Sequence, residues 1–330
     1  MADTRNYERD YNKKKNQILS HLPDFVEEYI CDRTKVAPNT LCGYTEDIDY
    51  FFNWIIQNLP YFCEKKILDI SIEDLSHISV KDMNKFISRY SENHKPRTVA
   101  RKKASISAFF SYLYKNGSIS ANPMSAAECP KIKESPLIFL TEDEQTDFLN
   151  CIEFGTGLSK KQLEYHKDLW IRDYAIVILF LDTGLRVSEL RGIRFKDLNI
   201  DKCFVNVLRK EDKDEIVYFS DGAADALKNY IDTKGNDKKE KENYIFTDLK
   251  GNQLSVKAIE NMVKKYAAAA LPGKKISPHK LRSSFAMSFY KATNNDILLL
   301  QKRMSHKNIT TTNIYAKASD EAVKESRNWH

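Results

Sequence analysis

A proline-bearing segment in the first half of the chain constrains the fold most. Residues 121–138, ANPMSAAECPKIKESPLI, place Pro123, Pro130 and Pro136 among small and polar residues. Proline fixes φ and has no backbone N–H, so such a run neither continues a helix nor sits inside a sheet. It predicts a linker, and hence two separately folded parts. The chain has 330 residues, 42% hydrophobic and 30% charged, which is enough length and apolar content for two cores.

Before the linker the pattern is helical. Residues 1–19 are polar from the start and read as a flexible N-terminal arm. From 20 to 120, apolar residues recur at helical spacing. Phe25, Val26, Tyr29 and Ile30 form one stripe; Tyr44, Ile48, Phe51, Phe52, Ile55 and Ile56 form a second. Met83, Phe86 and Ile87 mark a third, within 80–90. The fourth, PRTVARKKASISAFFSYLYKNG, puts Val99, Ile106, Phe110 and Leu113 on one face. At 100° per residue Arg97 and Arg101 fall about 180° away. On an isolated helix that is a solvated basic face. Gly117 is a natural stop.

After the linker, Thr141-Glu142-Asp143-Glu144 fits a capping box that starts a helix. Residues 155–166, GTGLSKKQLEYH, read as a surface insertion. The longest apolar run, Tyr174 to Leu181, is a buried helix segment, far short of the roughly 20 residues that span a membrane. The helix breaks at Thr183-Gly184 and presents Arg186 at the start of the next one. Residues 203–208 and 215–219 read as short strands with a charged hairpin tip, Lys210 to Asp214, between them. Residues 232–243 are a solvated charge run, and 255–270 a helix whose Lys257, Lys264 and Lys265 face either solvent or a polyanion. The sum is a mainly α chain with a small antiparallel sheet.

Candidate chemistry concentrates in 277–317. His279 and Arg282 are three apart and share a helix face; His306 and Tyr315 follow. An Arg fork can hold two phosphate oxygens. Histidines donate hydrogen bonds or move protons near neutral pH. A tyrosine can attack phosphorus and form a phosphotyrosine.

With Thr183-Gly184-Leu185-Arg186-Val187-Ser188-Glu189-Leu190 upstream, then HKLR, MSH and a late Tyr in that order, the chain resembles the tyrosine recombinase (phage integrase) family, most of all its Xer branch in the form where one protein acts alone. The likeness runs from about residue 20 to the end. It implies a helical, SAM-like core-binding domain over 20–120 and a mixed catalytic domain over 139–330 that ends in a C-terminal tail. It implies site-specific recombination through a 3′-phosphotyrosyl intermediate and a Holliday junction, by a homotetramer on two sites in double-stranded DNA. By the same resemblance Arg186, Lys210, His279, Arg282, His306 and the nucleophile Tyr315 are catalytic. Glu189 supports the basic cluster, and Arg97, Arg101, Lys102 and Lys103 contact phosphates. Three departures stand out. Gly-Lys-Gly in the hairpin reads Arg209-Lys210-Glu211, which leaves Lys213 as the alternative lysine. Ser283 replaces a frequent His, and Leu-Gly-His reads Met304-Ser305-His306.

The resemblance implies no cofactor and no metal. The six cysteines form no C-x-x-C and read as reduced thiols in a cytoplasmic, nucleoid-associated protein. The net charge of +6 permits a nucleic-acid partner without requiring one. Dimer resolution at a dif-like chromosomal site, in support of chromosome partition at cell division, is the role expected. An integrase or transposase of a mobile element, a type IB topoisomerase and a DNA-binding protein without catalysis are the alternatives. Any activating partner protein is open.

Overall fold

The computed structural model describes residues 2–133, 136–209, 214–235, 240, 242–306 and 308–326. The chain divides into two compact units, Met1–Glu134 and Ser135–His330.

The first unit is helical: α1 (Ala2–Leu19), α2 (Asp24–Cys31), α3 (Pro38–Asn58), α4 (Ile72–Leu75), α5 (Val80–Glu92) and α6 (Pro96–Lys115). The apolar stripes converge as the periodicity requires. Phe51, Phe52, Phe86, Phe109 and Phe110 are all buried and meet largely edge to face. Each such ring contributes about 2 kcal/mol or more on burial. Ser71 and Ser79 start α4 and α5 through capping boxes with Asp74 and Asp82.

Two expectations change here. The N-terminal arm is helical rather than flexible: Leu19 is buried in the first core, Ile18 packs against it, and Lys14 pairs with Glu46 of α3 at 2.5 Å. The first part of the linker packs on the first core, whereas 131–133 are exposed and the boundary between the two units falls within the linker. Met124 and Ala127 are buried in the first core, and the Asn122 side-chain amide bonds Ser111 Oγ at 2.8 Å.

The second unit holds α7 (Glu142–Phe154), α8 (Lys160–Thr183), α9 (Val187–Gly192), β1 (Leu198–Asn199), β2 (Phe204–Leu208), β3 (Asp214–Tyr218), α10 (Asp221–Asp232), α11 (Val256–Ala270), α12 (Pro278–Ala292), α13 (Ile297–Arg303) and α14 (Asn313–Ser326). Thr141 caps α7 with Glu144 as its sequence predicts. The segment 155–166 is no surface insertion. Leu158 and His166 are buried, His166 Nε2 lies 2.7 Å from the Ile152 carbonyl, and Ser159 caps α8. The apolar run of α8 supplies Ala175, Ile176, Val177, Leu179 and Phe180 to the main core.

The sheet is antiparallel with order β1-β2-β3. β1 is an element that sequence alone does not reveal; two residues are too few for an alternation. The register pairs Val205 with Val217 and Val207 with Glu215. Side chains alternate across a strand, so Glu215 shares a face with the buried Val217 and turns inward. A separate apolar cluster, Phe285, Ala286, Met287, Tyr290, Leu300, Met304 and Tyr315, joins α12 to α13 and α14.

Candidate active site

Gly184 ends α8 in the left-handed conformation, φ +63°. A Cβ at that position would run into the Phe285 ring. Glycine is the residue that meets both demands. The turn sets Arg186 as the N-cap of α9, and Glu189 reaches back to it. Its Oε2 accepts from the Arg186 backbone N–H at 2.7 Å and its Oε1 from Nη1 at 2.7 Å. Arg186 remains 39% exposed at its side chain, whereas Glu189 is 5% exposed. Burial pushes the Glu189 carboxyl up, but the Arg186 backbone bond and the charges of Arg209 and Arg186 outweigh it. They hold the group below the usual carboxylate range.

Arg282 comes from the next turn of α12 after His279 and is buried. Its Nη1 donates to the Gly184 carbonyl; its Nη2 donates to the Met304 carbonyl at 2.7 Å and lies 3.5 Å from His306 Nε2. A guanidinium has five N–H donors, so at least two remain for a phosphate. Burial and the nearby Arg186 lower its pKa to about 10, and it stays charged at neutral pH.

His279 shares the Arg282 face as its spacing predicts. It is open to solvent with no hydrogen bond to its ring among the described residues. Partial desolvation and then the charges of Lys280, Arg282 and Arg186 lower its pKa. His306 has Nδ1 3.0 Å from Thr312 Oγ1. Burial and the Arg282 and Arg186 charges push its pKa down to about 4, so it is neutral at pH 7. A neutral ring that accepts at Nε2 from Arg282 must carry its hydrogen on Nδ1 and donate to Thr312.

Tyr315 is 2% exposed, inside the α12–α14 cluster. Burial raises its pKa; the Ser283 hydroxyl and the Arg282 charge pull the other way and only partly offset it. Ser283 thus stands against the tyrosine. The second unit therefore brings Arg186, His279, Arg282 and His306 into electrostatic range of one another, with Glu189 beside Arg186 and Tyr315 within reach of the Arg282 charge. Lys210 and Lys213 lie outside the described residues.

Three residues join this cluster that the sequence reading did not assign to the site. Arg209 is 7% exposed and its Nη1 donates to Glu189 Oε1 and Oε2 at 3.0 and 3.1 Å. Its Nη2 lies 3.4 Å from Glu215 Oε1. Ser305 Oγ donates to Glu215, 2.6 Å from each oxygen. Arg209 and Ser305 stand where glycines are usual in the resembled motifs, which was a signal; Glu215, on a charged strand, gave none.

The basic face of α6 in the first unit divides. Arg97 is exposed with no ion-pair partner among the described residues. Arg101 forks onto Asp47 at 2.6 and 2.9 Å but is 56% exposed at its side chain. Lys103 donates to the Ala127 carbonyl. Lys102 corrects the expectation of a phosphate contact. Its side chain is 6% exposed, and its ammonium lies 2.9 Å from Asp47 and stacks over Tyr50 and Tyr90 at 4.3 and 4.9 Å from the ring centres. A long apolar stem and a distant carboxylate turned it inward. In the second unit Lys265 is also drawn in, over the Tyr266 ring and 3.7 Å from the buried Asp173.

The phage integrase family model matches residues 139–322. The tyrosine recombinase XerC of Caldanaerobacter subterraneus subsp. tengcongensis is 32% identical over 320 residues, 93% of this chain and 86% of that protein. Among solved structures, XerH site-specific recombinase bound to palindromic difH substrate in a post-cleavage complex matches at TM-score 0.66 and 19% identity. It covers 88% of this chain and 79% of that one. The Tn1549 transposon integrase in complex with circular intermediate DNA matches at TM-score 0.66 and 21% identity, covering 91% and 98%. These two establish the shared fold. With more than half of the chain inside the family model, and a relative similar over nearly its whole length, this chain belongs to the phage integrase, or tyrosine recombinase, family and is a recombinase of the XerC type that cleaves and rejoins DNA.

Proposed function

We propose that this chain is a site-specific recombinase that acts as a homotetramer on two sites in double-stranded DNA and resolves chromosome dimers at a dif-like site. The observation that carries the chemistry is the convergence of Arg186, Arg282 and His306 around one region, with Tyr315 near enough to feel the Arg282 charge.

Tyr315 Oη attacks the scissile phosphorus. The Oη–P bond forms, the bond from P to the 5′-oxygen breaks, and a 3′-phosphotyrosine results. His279, whose ring is exposed and of lowered pKa, takes the phenol proton. Arg186 and Arg282 hold the non-bridging oxygens and stabilise the charge that builds on them. Neutral His306 donates its Nδ1–H to a phosphate oxygen after that group is released from Thr312. Lys210 gives its proton to the leaving 5′-oxygen, which is otherwise a poor leaving group. Glu189 orients Arg186. Because Tyr315 is buried, its hydroxyl must be uncovered as the phosphate arrives. The phosphotyrosine stores the bond energy, so the 5′-hydroxyl of a second strand reverses the step, and two exchanges pass through a Holliday junction.

Support for the chromosomal role comes from the likeness to a XerC recombinase along nearly the whole chain. Among the described residues no helix is long and apolar enough to cross a membrane, which fits action on DNA at the nucleoid. The first unit offers Arg97 and the exposed side of Arg101 as phosphate contacts.

The test is recovery of DNA covalently bound to the protein in its own cells, with Tyr315→Phe as control. A single chromosomal site, lost in the variant, is the expected result. Ends of a mobile element would overturn the chromosomal role and keep the chemistry. Adducts scattered without sequence preference would point to a topoisomerase.

A further inference from the structure

Two of the three glycine positions at which this chain departs from the resembled motifs, 209 and 305, are occupied by residues that meet on one carboxylate. Arg209 directly follows Leu208, the last residue of β2. Ser305 directly precedes His306 and holds φ +48°, a conformation that costs a serine about 1 kcal/mol or more. Glu215 sits between them. It accepts from Ser305 Oγ at 2.6 Å, and Arg209 Nη2 approaches it at 3.4 Å. Arg209 in turn bonds both oxygens of Glu189, which fixes Arg186. Arg303 adds a second tie from the same segment to β3, through Nη2 to the Tyr218 carbonyl at 2.5 Å.

The consequence is a continuous chain of charge-assisted hydrogen bonds: Arg186, Glu189, Arg209, Glu215, Ser305, and then the backbone of His306. A glycine at 209 would leave Glu189 with Arg186 alone and Glu215 without a guanidinium. A glycine at 305 would relieve the backbone and drop the bond to Glu215. Each substitution needs the other to make the link useful, because Glu215 without Arg209 is a poorly balanced carboxylate beside Ser305, and without Ser305 it holds nothing on the His306 side.

We propose that Arg209, Glu215 and Ser305 form a clasp that ties the end of β2 to the His306 loop, so that Arg186 and His306 are positioned as one unit. These are positioning residues; none needs to touch DNA. The inference rests on the reading of Arg186 and His306 as groups of the reacting site.

The experiment is a double-mutant cycle on the full chain, with Arg209→Gly, Ser305→Gly and the pair. The substrate is a nicked duplex carrying the site recovered from cells, and single-turnover cleavage is read at saturating DNA beside duplex Kd and Tm. Each single substitution is expected to slow cleavage about tenfold with Kd within about twofold of wild type. The pair is expected to be no slower than the slower single, because one break already uncouples the two sides. In protein with ¹⁵N-labelled histidine, either single change is expected to move the His306 ring resonances, a readout that general destabilisation does not produce. Losses that multiply in the pair, or singles that cleave as wild type with His306 resonances unmoved, would overturn the clasp. Where Arg209→Gly fails to fold, Glu215→Gln takes its place in the cycle; Ser305→Gly relieves backbone strain and so tests the clasp without a folding penalty. If wild type itself forms no adduct at Tyr315, the recombinase reading fails, and the His306 resonances still decide the clasp.

Discussion

Arg282 donates a hydrogen bond to the carbonyl of Gly184, the residue that ends α8. The bond joins two parts of the site that lie far apart in the chain. It depends on a left-handed glycine whose missing Cβ leaves room for Phe285. Gly184→Ala is therefore predicted to cost about 1–3 kcal/mol and to displace the Arg282 guanidinium. Urea unfolding measures the first effect and single-turnover cleavage the second; unchanged values in both would contradict this account of the turn.

Glu189 holds two arginines from a buried position. Its folded pKa is depressed, so its contribution to stability is fully present above the unfolded carboxylate range and is lost as pH falls through the folded value. Glu189→Gln keeps a hydrogen bond to the Arg186 backbone but removes the countercharge of Arg186 and Arg209. A loss of about 3 kcal/mol is expected at pH 7, shrinking as pH is lowered below about 4. A constant difference across that range, measured by urea unfolding, would contradict the assigned charge state.

His306 is predicted to be neutral in the protein alone until pH approaches about 4. Its folded pKa is below the unfolded value, so the stability it confers is complete above that value and fades as pH falls from about 6.5 to about 4. A ring titration followed by NMR, with His306→Asn for assignment, checks this. A midpoint near 6.5 would place the ring in water rather than between Arg282 and Thr312.

The two cations of α6 are predicted to separate in their effects. Arg97→Ala should weaken duplex binding and reduce the slope of log K against log salt by about 1. Lys102→Met should leave that slope unchanged and destabilise the first unit by about 2 kcal/mol, because Asp47 loses its buried partner and keeps Arg101. The reverse assignment of effects would restore Lys102 as a DNA contact.

Much of this architecture was legible because its causes are local. The 3.6-residue stripes of Ile48, Phe51, Phe52 and Ile55, the Thr141–Glu144 capping box and the Thr183-Gly184 break depend on neighbours a few positions away. His279 and Arg282 share a face for the same reason, although burial separates them: Arg282 is interior and His279 open. What was not legible depends on distant partners. Lys102 turns inward to Asp47 on another helix, and α1 orders on α3 with few apolar contacts. Arg209 and Ser305 find each other through Glu215, which no short motif connects to either.

The most direct measurement is identification of the residue that carries the covalent DNA bond. Full-length protein is reacted with a nicked duplex of its recovered site, denatured and digested, and the DNA-linked peptide is sequenced by mass spectrometry. A 3′-phosphate ester on Tyr315, formed in EDTA and absent from Tyr315→Phe, is the predicted result. A linkage at any other residue, or an equal yield from the variant, would contradict the site as built from Arg186, Arg282, His306 and Tyr315.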